Sequence, residues 1–462
     1  MRRLFQILLI STAIYFISWA AVYLTGVNGL PIQSEDTVPA MFIPVTIVKE
    51  GTIYADTYYE MIRNRYPHPD DKDYKKDLTP FYFRKVGEHY ISAFPLVSGL
   101  LALPVFAGPL LFGMEVSWDN LIYLSHLTSA IISALCGAVL YLLLKKHFFK
   151  DEKKAILLTT VYLFGTINFA QVSQSLWQHG ALQLFLLLSF YLIYEKKWMY
   201  AGLSLGLALL SRPTALFLAP FVILFFLSKL FDGEKSFKDQ KIDRGKLKRT
   251  GLYVLGLLIT GAFFFWYTKK YYLGIQNNGY ADQLFVNWRS RFPEGFLGLW
   301  LSPSKGILVY SPLFIFSGVG LWQILKNRNY KRESNFIYLI SAGMVLTHTL
   351  ILGKWKHWYG GWSFGYRMAA DIIPFLVLLI APFIKSEFFN KYKKVFIGLL
   401  VLSIAVEVYG LIFFDGIWHA AYDRGFTDTG WLWSLKDSEL VFNIRRILVK
   451  LGRLEKACPS CL

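Results

Sequence analysis

The chain has 462 residues, of which 55% are hydrophobic, 18% aromatic and only 17% charged, and it carries a formal net charge of +18. Such a composition excludes an ordinary soluble domain and points to an all-α polytopic membrane protein. The basic excess lies in short connections between apolar runs, where it orients helices and meets anionic headgroups, so nucleic acid is excluded as the main partner.

In chain order, Arg2 and Arg3 precede an apolar run from Leu4 to Leu24. At about 20 residues this run is longer than a signal-peptide core and no small-x-small cleavage site follows, so it reads as a first membrane helix with its N-terminus inside. A polar loop over about 26–95 comes next and opens with adjacent carboxylates in Gln33-Ser34-Glu35-Asp36-Thr37. Within it, Val38–Glu50 reads as a short helix lying on the membrane, and Pro67–Lys76 as solvated chain. The segment 94–114 is apolar enough to span but holds Pro95, Pro104 and Pro109 with Gly99, Gly108 and Gly113. Further apolar runs at about 119–144, 155–172, 178–194, 198–211, 214–231, 250–268, 308–325, 336–353, 371–384 and 395–414 bring the count, with the first, to about 11.

The assignment of 94–114 decides the topology downstream. If it does not cross, inside loops hold 25 Lys and Arg and the short outside loops 9. If it crosses, the basic clusters at 145–154 and 229–249 fall outside, against the positive-inside rule. The segment is therefore expected to be a juxtamembrane or re-entrant element of non-helical backbone buried against protein. This topology places the 26–95 loop, 173–179, 269–306, 354–367 and a tail over 415–462 on one, extracytoplasmic side of a plasma (inner) membrane, with a membrane module over 1–414. Cys136 reads as packing, and Cys458 and Cys461 form a C-x-x-C near the end of the chain without a redox or metal context.

The outer side gathers Glu35, Asp36, Asp56, Arg84, Lys85, Glu88, His89, His179, Arg212, Lys305, Arg367 and Asp371. Transfer from a phosphate-linked donor needs these parts: a carboxylate to deprotonate or orient the acceptor, cations for the departing phosphate, and in some enzymes a divalent metal. Each residue also has a plainer reading. Asp36 and Glu35 suit a helix start, where a carboxylate accepts orphan N–H groups. Arg212 suits bidentate phosphate contact or snorkelling, and Lys305 suits a phosphate or a loop surface. Arg367 and Asp371, four apart, suit an ion pair across one helical turn, or a substrate site in which Trp358 and Trp362 offer stacking faces to a sugar. Asp56 and His179 join the acceptor or sugar side of that site, or serve as hydrogen-bonded interfacial residues. Glu407, His126 and His348 lie within apolar runs and read as packing groups. The chain has no P-loop, G-x-S-x-G elbow, H-E-x-x-H or zinc constellation.

Several islands resemble the GT-C fold glycosyltransferases, polytopic enzymes such as the protein O-mannosyltransferases and lipid A aminoarabinose transferases. They are Gln33-Ser34-Glu35-Asp36-Thr37, Gly51-Thr52-Ile53-Tyr54-Ala55-Asp56, and His89-Tyr90-Ile91-Ser92-Ala93-Phe94-Pro95 before a Gly/Pro-rich segment. Ser211-Arg212-Pro213-Thr214, Ser302-Pro303-Ser304-Lys305-Gly306 and the Trp358–Arg367 stretch are similar to the same superfamily. The resemblance implies a GT-C-like bundle that uses polyprenyl-phosphate sugars and a glycan, lipid or protein acceptor, with Asp36 as the catalytic or metal-linked carboxylate. It also implies Lys85 and His89 near the lipid phosphate, beside Arg212, Lys305 and Arg367. Several members carry Asp-Glu where this chain has Glu35-Asp36, which keeps Glu35 as a competitor and leaves a divalent cation, Mg or Mn, open. The rivals are a lipid or solute transporter or flippase, which favours midplane sites and inverted repeats, and a polysaccharide polymerase or ligase.

Overall fold

The computed structural model describes residues 2–28, 30, 32–231, 243–277, 287–326 and 335–454; Cys458 and Cys461 lie outside them. Among the described residues, five helices are long and apolar enough to cross a membrane: Arg2–Leu24, Trp118–Phe148, Arg244–Tyr271, Arg367–Lys385 and Glu387–Phe413. Five more of the expected runs form shorter apolar helices, Gln178–Tyr194, Trp198–Ser211, Ala215–Leu230, Pro312–Lys326 and Phe336–Leu352. A hydrocarbon core of about 30 Å takes about 20 helical residues, so length supports five spans and does not confirm the expected count of about 11.

The elements used below are α1 (Arg2–Leu24), α2 (Val38–Glu50), α3 (Asp56–Arg65), a hairpin of β1 (Phe83–Val86) and β2 (His89–Ser92), α4 (Val97–Leu111), α5 (Trp118–Leu143) and α6 (Glu152–Phe164). They continue with α7 (Gln178–Tyr194), α8 (Trp198–Ser211), α9 (Ala215–Leu230), α10 (Arg244–Tyr271), α11 (Glu294–Leu301), α12 (Ile307–Tyr310), α13 (Ile315–Lys326) and α14 (Phe336–Leu352). The last are α15 (Ile373–Lys385), α16 (Glu387–Phe413), α17 (Ile417–Tyr422) and α18 (Glu439–Lys450).

Small residues set the tightest helix crossing. A Cβ at Gly202 in α8 would fall on the Tyr253 carbonyl of α10, and one at Gly206 on the Thr260 hydroxyl. The Gly-x-x-x-Gly spacing thus lets two backbones approach, and close packing replaces the hydrophobic drive that lipid does not supply.

Three expectations need correction. α2 has no face free of protein over most of its length: Val38 to Thr46 are buried without a gap, and Ile43 packs where a Cβ on Gly99 of α4 would sit. Segment 94–114 is not irregular backbone but the 15-residue helix α4, with Pro104 and Pro109 inside it. The irregular backbone sits instead in the run 155–172, because α6 ends at Phe164 and the chain continues as turns to Trp177. There Thr166, Asn168, Gln171, Ser173, Gln174 and Ser175 are all buried. Non-helical chain at that depth is tolerated because protein surrounds it: Tyr366 Oη takes the Ile167 N–H at 3.0 Å, and Glu407 takes that of Ala170 at 3.4 Å.

The hairpin in the first loop is an addition to the all-α expectation. Val86 pairs with His89 around Gly87, whose φ of +61° is the left-handed value a Gly-first two-residue loop needs. The C-terminal segment is also more than a tail. Trp418, Trp431 and Leu432 are buried with Trp358, Tyr359 and Met368 in one aromatic cluster.

Candidate functional site

The most constrained side chain is Asp371, fully buried in a 3-10 turn over Arg367–Ile372 that leads into α15. Its Oδ1 meets His179 Nδ1 at 2.6 Å. Its Oδ2 takes hydrogen bonds from Arg212 Nε at 3.0 Å and Thr214 Oγ1 at 2.7 Å, with His348 Nε2 at 3.3 Å. One carboxylate therefore ties together the start of α7, the α8–α9 junction and the C-terminal half of α14. A buried carboxylate is tolerable only when paired and hydrogen-bonded, and here one guanidinium balances its charge. Asp371 and His179 are both buried, and the Asp371 carboxylate is taken up by His179, Arg212, Thr214 and His348, so neither residue presents a surface to a sugar. Arg212 stays partly accessible, and its Nε bond leaves the two terminal nitrogens of the fork for an anion.

Four residues before Asp371, the same turn presents Arg367. Its Nη1 donates to Asp36 Oδ2 at 3.1 Å, and its guanidinium lies 4.5 Å from the Trp177 ring centroid. The ion pairs thus run Arg367 to Asp36 and Asp371 to Arg212, not between Arg367 and Asp371 as their spacing predicts. Asp36 sits in a 3-10 turn over Glu35–Thr37, where its own N–H donates to the Ser34 hydroxyl. Its side chain keeps 26% of its surface exposed, so the pair is open to a ligand.

Glu35 is not the carboxylate that meets Arg367. Burial first and the Glu35 charge second push the Tyr82 phenol up. The Glu35 pKa is itself raised, by burial and then by the Asp36 charge. A raised acid favours the protonated folded state, so its ionisation weakens folding as pH climbs through the folded pKa. Glu35→Gln should therefore raise the melting temperature most at neutral pH, and the gain should vanish below the ordinary glutamate value of about 4.3. Melting curves of both proteins from pH 4 to 8 check this; a pH-independent difference would contradict it.

The remaining predicted residues go to other places. Lys85 and His89 are exposed on the hairpin, where His89 Nδ1 lies 2.6 Å from Asp56 Oδ2 and Lys85 lies over the Tyr90 ring. Among the described residues neither touches the Asp36–Arg367 pair, so the hairpin holds a separate surface pair and not the expected phosphate contact. Asp56 is also engaged there, accepting the Tyr90 N–H at 2.6 Å. Trp358 is fully buried, its ring where a Cβ on Gly298 would lie, and cannot stack on a sugar. Trp362 is 53% exposed, and its indole N–H donates to Asp423 at 2.9 Å. No group of three or more His, Cys, Asp or Glu among the described residues is arranged to hold a metal.

Lys305 is buried, not presented to a phosphate. Its ammonium donates to the Ser363 carbonyl, lies 3.0 Å from His419 Nε2 and is 3.5 Å from Glu439 Oε2. Burial pulls Lys305 down and Glu439 up, and the attraction between them opposes both shifts. Burial, then the Lys305 charge, holds His419 well below its usual range, so its neutral ring accepts from the lysine. Tyr310 Oη also donates to Glu439, at 2.9 Å. The cluster fastens α17 and α18 to the turn before α12. Glu439→Gln strands a buried ammonium and should cost roughly 3–5 kcal/mol, while adding Lys305→Met should restore part of it. Thermal melts of the two variants in detergent measure this; an unchanged single variant would show that the cluster does not hold the C-terminal segment.

With this geometry in place, comparison with known proteins adds the following. No protein-family model and no curated protein sequence matches the chain. Its structure is similar to crystal structures of the oligosaccharyltransferase of Archaeoglobus fulgidus. The complex with zinc and sulfate superposes with a TM-score of 0.43 at 16% identity, over 84% of this chain and 55% of that one. The archaeal oligosaccharyltransferase AglB from the same organism, in complex with an inhibitory peptide and a dolichol-phosphate, gives 0.42 at 14% identity, over 87% and 59%. The chain therefore spans somewhat over half the length of these proteins.

Sequence reasoning missed several residues of the site. Trp177 and Thr214 carry no charge, and His348 reads as packing inside an apolar run. Glu439 and His419 lie in a segment expected to be a simple tail. The adjacent Ser211-Arg212-Pro213-Thr214 island held the only signal for Thr214, through its neighbour Arg212.

Proposed function

We propose that the chain is a membrane glycosyltransferase that moves a sugar from a polyprenyl-phosphate carrier to an acceptor on the extracytoplasmic face of the plasma membrane. The first loop, about 26–95, and the module 1–414 carry the reaction, and the 415–462 segment lies on the same side. The acceptor oxygen attacks the anomeric carbon and passes its proton to Asp36. The sugar–phosphate C–O bond breaks, and the polyprenyl phosphate departs with the electron pair toward Arg367 and the free fork of Arg212. A single displacement of this kind inverts the anomeric centre and needs positioning and charge stabilisation more than covalent catalysis.

One observation carries the reading: a partly exposed carboxylate, Asp36, ion-paired to Arg367 on the turn that Asp371 braces. A base and a phosphate-binding cation thus stand side by side, each ready to exchange its partner for substrate. The membrane helices and the resemblance of the loop motifs to GT-C enzymes support the same conclusion. The transporter reading draws on a different feature, the buried polar chain 166–177 against Glu407, whose Oε1 has no partner among the described residues. The two separate cleanly. Purified protein in lipid should transfer label from at least one of a panel of polyprenyl-phosphate sugars, and carrier movement without transfer would favour the transporter.

A further inference from the structure

A polar cavity with no Asp36 in its lining lies between the chain before α11 and the C-terminal segment. It measures about 410 Å³ and is lined by Arg289, Arg291, Glu294, Phe426, Asp428 and Thr429, among others. One wall is the chain before α11, held to the segment after α14: Ser290 N–H donates to the Lys354 carbonyl at 3.0 Å, and Lys356 N–H to that of Asn287 at 2.8 Å. Trp288 packs edge-on against Trp355 behind it, at 5.1 Å. The other wall is the 426–430 turn of the C-terminal segment, where Gly430 N–H donates to Asp428 Oδ1 at 3.2 Å. The Thr429 hydroxyl donates to Glu294 and bridges the walls.

We infer that this cleft binds a saccharide, the acceptor glycan of the proposed transfer. The lining mixes two guanidinium groups and two carboxylates with hydroxyls and one aromatic ring. Neither Arg289 nor Arg291 makes an ion pair among the described residues, while Asp428 is shared with Arg424 at 3.3 Å. A lining of balanced charge does not select a simple anion. Planar forks that donate and accept in pairs match the adjacent hydroxyls of a sugar, and the Phe426 ring can cover a sugar's C–H face. On the scale of ligand pockets the volume suits about one or two sugar rings. The cleft is also placed for an acceptor. Phe426 packs against the aromatic cluster that contains Met368, the residue following Arg367, so the cleft and the proposed reaction site border the same cluster.

The assignment as acceptor rests on the transferase reading; saccharide binding does not. The full chain in detergent is applied to a printed glycan panel, and affinity for the strongest glycan is measured by calorimetry. Arg291→Gln, Asp428→Asn and Phe426→Ala should each weaken binding about ten-fold or more, the loss expected for a charge-assisted hydrogen bond or a stacking face; the first two, at exposed positions, should leave the melting temperature unchanged, while Phe426→Ala should lower it modestly because the ring packs against the aromatic cluster. Binding to no glycan, or equal binding by the three folded variants, overturns the inference. Glycan binding by a wild type that transfers no sugar would leave this inference standing and remove the transferase reading.

Discussion

Asp36→Asn should lower sugar transfer by roughly 10²–10⁴-fold, the usual loss on removing a general base, while leaving the protein folded. The amide keeps the size of the side chain and one oxygen for Arg367, but it cannot take the acceptor's proton. Asp36 is 26% exposed and Arg367 14%, so weakening their pair should cost about 1 kcal/mol or less. That keeps the melting temperature near the wild-type value and separates chemistry from folding. Glu35→Gln serves as the paired control, because Asp36 and not Glu35 is the carboxylate paired with Arg367, and it should leave transfer within about ten-fold. Initial rates with a labelled polyprenyl-phosphate sugar decide the matter. Full activity in Asp36→Asn would sink the role given to it, and loss in Glu35→Gln alone would pass that role to Glu35.

The second large effect is on folding. Asp371→Asn keeps the shape of the side chain but removes the counter-charge of Arg212 and one of the acceptors shared by His179, Thr214 and His348. Breaking a buried pair from one side costs roughly 3–5 kcal/mol, against a total stability of about 5–15 kcal/mol for a typical protein. The variant should therefore melt far lower or fail to accumulate in the membrane. Asp371→Asn combined with Arg212→Gln should recover part of the loss, because no charge is then stranded. A variant that melts normally but transfers no sugar would show that Asp371 acts on substrate and does not brace the turn that carries Arg367.

The class of the molecule was legible in the sequence because composition and apolar run length report directly on the solvent a chain is built for. Asp36 was legible too, since carboxylates next to a membrane helix are conspicuous where few other charges occur. The grouping of the 26–95 loop, 269–306, 354–367 and the C-terminal segment was expected from counting loop charges; the Asp36–Arg367 contact joins the first loop to 354–367, and the Lys305–Glu439 contact joins 269–306 to the C-terminal segment.

Side-chain partnership was not legible, because it depends on how helices far apart in sequence cross. Spacing predicts Arg367 with Asp371, yet the turn is 3-10 and Arg367 reaches a residue 331 positions away. Lys305 in a Ser-Pro turn and Trp358 in a Gly-rich stretch both read as surface groups, and tertiary packing buries both. Hydropathy also registers 155–172 as one apolar run, since Ile167, Phe169, Ala170 and Val172 interleave with the polar residues. Only the surrounding helices, which supply partners to that backbone, let it leave the helix there. Sequence alone thus determined which solvent the chain meets and which carboxylate to watch. The tertiary structure decided which cations that carboxylate and its neighbours meet, because a charge that loses water must take its partner from whatever the packing brings beside it.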